Sequence, residues 1–222
     1  MFDRNRLRSL SRVPPPCTGR IWTLLAALAL ALWIGGCATT PTPRAVEDPE
    51  LAWQARQALL SAQRDWRFRG RIAIRHGEQG WQAGLNWRQR HRRFDIEVQD
   101  PLGRKVAQLD GDAGSVTLTT SDGETARAAD PERLMQRVLG WSLPVSGLRY
   151  WVLGVPDPEG SRPRLELDEA GRLSRLTQDG WAVEYRRYEP GTRVDLPSKL
   201  VLSRADLRVR LIVKDWQLQI PL

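Results

Sequence analysis

Cysteine and histidine are almost absent. The 222 residues hold two of each, Cys17 and Cys37, His76 and His91. That poverty argues against a Cys/His zinc centre and against a disulfide-stapled fold. Long apolar runs are missing as well. The longest, Ile21 to Ile34, is shorter than the roughly 20 residues that span a bilayer, which excludes a polytopic membrane protein. The 15 prolines and 18 glycines are too few and too scattered for a collagen-like or disordered chain. The chemical motifs GxxxxGK(S/T), GxSxG, HExxH and CxxC do not occur. Lysine is scarce, three against 31 arginines, a bias that pervades the chain and reads mainly as genome composition. What remains of it allows attraction to anionic lipid or an acidic partner. With 41% hydrophobic and 27% charged residues, the chain can build one sizeable core.

The N-terminus has three zones. Arg4, Arg6, Arg8, Arg12 and Arg20 form a basic flank, residues 21–34 a short apolar core, and Gly35-Gly36 a small-residue step before Cys37. This order marks a secretory signal and not a structural helix. Ile34-Gly35-Gly36-Cys37 resembles a bacterial lipobox, with Ile where Leu is usual. The resemblance implies that 1–36 is removed and that Cys37 carries S-diacylglycerol and N-acyl groups. Acyl chains at about 0.8 kcal/mol per CH₂ make a lasting anchor. Ala38, where Asp would favour the inner membrane, implies an outer-membrane destination. Loss of 1–36 leaves +4 on 186 residues, too moderate a charge for a nucleic-acid binder.

Residues 37–50 are small, polar and proline-rich, a flexible tether. The domain is expected to run over 51–222 as one body. Leu51, Ala52, Ala55, Ala58, Leu59 and Ala62 recur at helical spacing, opened by Pro49-Glu50. From Trp66 the period becomes two, through Phe68, Ile72 and Ile74, then Trp81, Leu85 and Trp87, then Phe94, Ile96 and Val98. Weaker strands follow near 104–110, 115–120 and 124–128. Asp130-Pro131 opens a helix bearing Leu134, Met135, Val138 and Leu139, with Gly140 as its stop. A short helix is predicted around 145–153. Strand patterns resume at Leu165, Leu173, Trp181 and Leu200, at Leu207/Val209/Leu211/Val213 and at Trp216/Leu218/Ile220. The expectation is mainly β with helices: a curved antiparallel sheet, an incomplete β-barrel of about eleven strands, covered by about three helices that enclose an apolar cavity. No internal repeat stands out.

Chemistry is hard to place. His76 and His91 fall in turns and read as solvated. Asp95 and Glu97 share the polar face of a strand, where pairing with nearby arginines is expected. Eight tryptophans remain after residue 36; they pack a core or line a cavity for acyl chains. Pro101-Leu102-Gly103 interrupts two strands, and Leu102 either folds into the core or projects as an apolar tip.

The order and spacing of FRGRIAI (68–74), GLNW (84–87), DPLGRKVAQL (100–109), LPVSGLRYWVLGVP (143–156), DEAGRLSRLTQDGWAVEYRRY (168–188) and LPSKLVL (196–202) resemble the LolB family of outer-membrane lipoprotein receptors. The resemblance covers nearly all of 53–222. It implies a receptor, expected to be a monomer, that is lipid-anchored at the periplasmic face of the outer membrane. It would accept client lipoproteins from the periplasmic carrier LolA and insert them among outer-membrane phospholipids without an energy source. It implies no enzyme activity, cofactor, metal or nucleic acid. Pro101, Leu102 and Gly103 would form the membrane-insertion loop. Trp81, Leu85, Trp87, Phe94, Ile96 and Val98 would line the acyl cavity. The helices at 51–62 and 131–139 would serve as a movable lid. Two other classes stay open: a structural outer-membrane lipoprotein that acts only as a protein-interaction module, and a periplasmic lipase or esterase, which the two histidines fit poorly.

Overall fold

The period-two segments all become strands. The computed structural model describes residues 46–112, 114–139, 142–191 and 193–218. Cys37, the 1–36 leader, most of the tether, Gly140 and Ile220 lie outside them. Helix α1 (Pro49–Ser61) leads into β1 (Asp65–His76), β2 (Gln79–Arg90), β3 (Arg93–Gln99), β4 (Lys105–Gly111), β5 (Val116–Thr120) and β6 (Thr125–Ala128). Helices α2 (Pro131–Leu139) and α3 (Val145–Trp151) follow. Then come β7 (Arg164–Leu167), β8 (Leu173–Gln178), β9 (Trp181–Glu189), β10 (Leu196–Arg204) and β11 (Leu207–Leu218).

These eleven strands make one antiparallel sheet in the order β6-β5-β4-β3-β2-β1-β11-β10-β9-β8-β7. Its two edges, β6 and β7, do not pair, so the sheet is open, an incomplete barrel. The segment joining those edges carries α2 and α3, and their apolar side chains cover the inner face. Alternation puts Ile72 and Ile74, Leu85 and Trp87, and Val209 and Leu211 on that face, all buried. The unit Pro43–Leu222 thus holds a single continuous core.

Two expectations about elements need correction. The pattern at 207–213 and the described part of the next one, Trp216 and Leu218, belong to one strand. Lys214 and Asp215 both face outward, Asp215 has φ 49°, and the β1–β11 register shifts between Arg67 and Arg69. This bulge flips the parity, so that Trp216 returns to the inner face. The second correction concerns α1. It begins at Pro49, as the Pro49-Glu50 opening predicts, and the Asp48 carboxylate caps it by accepting from the Glu50 and Leu51 amides, both at 3.0 Å. Its buried face is Trp53, Arg56 and Leu60, not the alanine stripe, and Leu51 is 63% exposed. Two large apolar side chains a double turn apart bury more area than four alanines. Arg56 between them donates to the Asp195 carbonyl and lies over the Tyr188 ring, with Arg172 over the same ring.

One end of the trough is filled by aromatic rings. Trp66 stacks on Phe68 at 5.8 Å, and Trp216 meets the two edge-on at 5.8 and 5.1 Å. Further along β1 the inner-face side chains shrink to Ile72 and Ile74, and the filling stops.

Candidate functional site: an apolar trough with an open mouth

Where the aromatic packing ends, a cavity of about 410 Å³ remains. Its floor is Ile72 and Ile74 of β1, Val209 and Leu211 of β11 and Leu202 of β10. Leu85 and Trp87 of β2, Ile96 and Val98 of β3, Leu109 and Leu118 form one wall. The roof is Met135 and Val138 of α2, Leu143, and Val145 and Leu148 of α3. Polar side chains come only at the edge, from Gln82, Gln99, Asp100 and Thr120. The size is that of a small-molecule pocket (roughly 300–1,000 Å³), but the few converging polar groups that orient a polar ligand are missing. Such a lining suits a hydrocarbon.

Five of the six residues named from sequence for the lining, Trp81, Leu85, Trp87, Ile96 and Val98, surround this space. Phe94 does not. It shares their face but sits at the far end of β3, opposite Gln89 and Gly111. The expected lid needs correction too: α2 contributes to the roof, whereas no residue of α1 lines the cavity. Most tryptophans are core; among the described residues only Trp81 and Trp87 touch the cavity. The sequence reading missed the roof residues beyond α2 and the floor residues Ile72, Ile74, Val209 and Leu211. Parity could have found the floor, whereas the roof depends on how α3 folds over the sheet.

Apolar side chains reach the mouth beside the polar groups of the edge. Trp81, Val106 and Val138 line the cavity and are still 42%, 37% and 43% exposed, so they form its rim. Pro101 lines it as well, and next to it Leu102 stands 81% exposed. Leu102 is therefore an outward tip and not a core residue.

The turn that carries Leu102 is tightly bonded. One Asp100 carboxylate oxygen accepts from the amides of Leu102 and Arg104, both at 2.9 Å. The other accepts from Arg104 Nε at 2.7 Å. The Gly103 amide donates to the Asp100 carbonyl at 2.9 Å, and Gly103 has φ 83°, a conformation that glycine adopts without strain. The Arg104 backbone N–H, above all, and then its guanidinium hold the Asp100 carboxyl below the usual carboxylate range.

The same turn is built twice. DPLGR (100–104) and DEAGR (168–172) share every one of these bonds. Asp168 accepts from the amides of Ala170 and Arg172 at 3.0 and 2.9 Å and from Arg172 Nε at 2.9 Å. Gly171 donates to its carbonyl at 3.0 Å with φ 66°. The second copy lies under α1, where a Cβ on Gly171 would come within 2.7 Å of the Ala52 Cβ. The first copy points its tip outward.

The other titratable candidates are otherwise employed. Asp95 accepts from Gln108 at 3.0 Å, and Glu97 from Asn86 at 3.3 Å and Gln99 at 2.6 Å, so amides take the place of the expected arginines. His76 and His91 sit 3.3 Å from Asp206 and Asp65. No cluster of metal-ligating side chains occurs among the described residues.

Comparison with known proteins adds to this geometry. The model of the family described as outer membrane lipoprotein LolB matches residues 64–216. A protein of Alkalilimnicola ehrlichii named outer-membrane lipoprotein LolB is 42% identical over 195 residues, 88% of this chain and 96% of that protein. One of the same name from Pseudomonas aeruginosa is 42% identical over 200 residues, 89% of this chain and 97% of its own length. Among solved structures, a putative outer membrane lipoprotein-sorting protein domain from Vibrio parahaemolyticus matches with TM-score 0.51 at 10% identity, over 78% of this chain and 92% of that one. A DUF1329 family protein from Desulfovibrio piger gives 0.52 at 8%, over 79% and 95%. These two likenesses concern the fold alone.

Proposed function

The chain belongs to the LolB family of outer-membrane lipoproteins, and from that premise we propose that its trough holds the acyl chains of a lipoprotein between carrier and membrane. Its role is lipoprotein localisation at the outer membrane. The observation that carries the finer reading is the cavity itself: hydrocarbon-lined, open at one mouth, with the exposed Leu102 turn on the rim.

The steps follow from the lining. A client arrives from the periplasmic carrier LolA, and its acyl chains move from one apolar cavity to another. No side chain needs to react, so no energy source or catalytic group enters. The driving force is transfer of hydrocarbon into progressively better apolar surroundings, and only methylenes still touching water in the preceding site add about 0.8 kcal/mol each. The trough is open to the outside through its mouth, and the bilayer is the deeper well. Leu102 enters the headgroup region and brings the mouth against the membrane. One buried leucine contributes roughly 1.5–3 kcal/mol, enough to bias a docked geometry but not to anchor the protein. The acylated Cys37 supplies the anchor at the periplasmic face.

A transfer assay tests this. Carrier loaded with a lipoprotein is mixed with the protein and then with liposomes, for wild type and Leu102→Glu. Wild type accepts and inserts; Leu102→Glu accepts but inserts poorly. If wild type accepts nothing, the receptor reading fails. If Leu102→Glu inserts normally, the tip assignment fails.

A further inference from the structure

The outward face of β1, β2 and β11 carries charge that the fold leaves unbalanced. On β1 its exposed positions are Arg67, Arg69, Arg71 and Arg75; on β11 they are Arg208, Arg210 and Lys214; on β2, Arg88. Like charges face each other across the strands: Arg67 opposite Arg88, Arg69 opposite Lys214, Arg75 opposite Arg208. Directly opposed like charges destabilise a sheet. Carboxylates to offset them are few. Asp215, at the bulge, is 3.9 Å from Arg69, and Asp65 is turned to His91 at 3.3 Å. Asp95 on the neighbouring strand stands opposite Arg88 in the register but makes no ion pair with it, and like Glu97 it is held by amides. Among the described residues, Arg71, Arg75, Arg88, Arg208, Arg210 and Lys214 have no carboxylate within ion-pair distance.

We propose that this face docks on an anionic lipid surface, with the arginines on headgroup phosphates. The charge pattern favours lipid over protein. A stable protein interface is centred on buried aromatic or aliphatic anchors. None of the exposed large hydrophobic residues lies on this face; Trp81 of β2 is on the inner side, at the cavity. An array of exposed guanidiniums, most of them without a carboxylate partner and each able to grip a phosphate through two N–H groups, matches a layer of headgroups without needing a pocket. The proposal uses the outer-membrane location of the family and not the acyl-cavity reading, so each can fail without the other.

The test is vesicle flotation with a chain that begins at Ala38 and so keeps the whole unit Pro43–Leu222 without the acylated cysteine. Vesicles are phosphatidylethanolamine alone or with about 30% phosphatidylglycerol, at about 50 and about 300 mM salt. The parent chain binds the anionic vesicles, loses them steeply with salt and ignores the neutral ones. The variant Arg69→Gln/Arg71→Gln/Arg210→Gln binds about a hundredfold more weakly, close to fivefold for each cation removed. Should it fail to fold, Arg75→Gln/Arg208→Gln at the other end of the face gives about 25-fold by the same reckoning. The proposal is overturned if these variants bind like the parent, or if the parent binds neutral and anionic vesicles alike. It is also overturned if the parent ignores vesicles and the substitutions instead remove salt-sensitive binding to an acidic protein.

Discussion

Asp100 is the residue on which the proposed insertion tip depends. Its carboxylate takes three hydrogen bonds and closes a turn whose other residues are proline and a positive-φ glycine. Removing it frees Leu102 to point anywhere while leaving the side chain in place. Asp100→Ala is therefore expected to slow insertion several-fold with acceptance unchanged, and the melting temperature should hardly move, because the turn is at the surface. The twin supplies the contrast. Asp168 holds Arg172, which also bonds Asp195 at 2.8 Å, and it shapes the turn beneath α1. Asp168→Ala should cost about 2 kcal/mol in chemical denaturation, since it leaves part-buried donors unpaired. Insertion tells the two turns apart. The pH dependence has a definite sign. The Asp100 carboxyl lies below its ordinary value of 3.8, so its contribution is present above that value and lost as pH falls through the lowered one. Loop mobility, read from amide relaxation at Leu102, should be flat across neutral pH and rise only in acid.

At the scale of elements the roof is the part to probe. Glu132 of α2 accepts the Ser146 amide of α3 at 2.9 Å, acting as a cap supplied by another helix. Burial pushes its carboxyl above the ordinary 4.5. A raised carboxyl favours the fold when protonated, so this contribution is present below 4.5 and lost as pH rises through the raised value. Glu132→Gln keeps an acceptor and removes the buried charge; at neutral pH it should melt no lower than wild type. Glu132→Ala loses the cap and should cost about 1 kcal/mol. Calorimetry of the two variants separates charge from hydrogen bonding. The roof also shows what a sequence can and cannot reveal. Strand faces are legible because parity is local: Trp81, Leu85, Trp87, Ile96 and Val98 share a face that any antiparallel sheet would turn inward. The bulge in β11 is legible too, as the three-residue step from Val213 to Trp216, although it looks like two strands. The buried side of α1 is not, because the choice between its alanine stripe and Trp53, Arg56 and Leu60 is made by Tyr188 and Asp195, more than a hundred residues away. Leu102 is legible as the odd residue of a Pro-x-Gly turn, yet only the shared bonding of DPLGR and DEAGR shows that the turn is a fixed scaffold.

For the whole molecule, the proposed function requires that an open trough bind hydrocarbon without trapping it. A ligand that fills the cavity binds only the folded chain and so stabilises it by mass action, about 2.7 kcal/mol at a hundred times its dissociation constant. In a domain of this size each kcal/mol raises the melting temperature by roughly 2–4 °C. Saturating palmitate should therefore raise it by roughly 5–10 °C. Liposomes added to that mixture compete for the palmitate, and most of the gain should disappear. Leu102→Glu should show the same shift without liposomes, because Leu102 lies outside the cavity, on its rim. A bulky side chain on the floor should behave otherwise: Val209→Trp fills the space from within and should abolish the palmitate shift. If palmitate moves neither wild type nor Leu102→Glu, the cavity does not hold acyl chains, and an interaction module on an outer-membrane anchor becomes the better reading. If the shift appears and survives excess liposomes, the trough holds hydrocarbon too tightly for release, and the downhill order from carrier to cavity to bilayer is wrong at its last step.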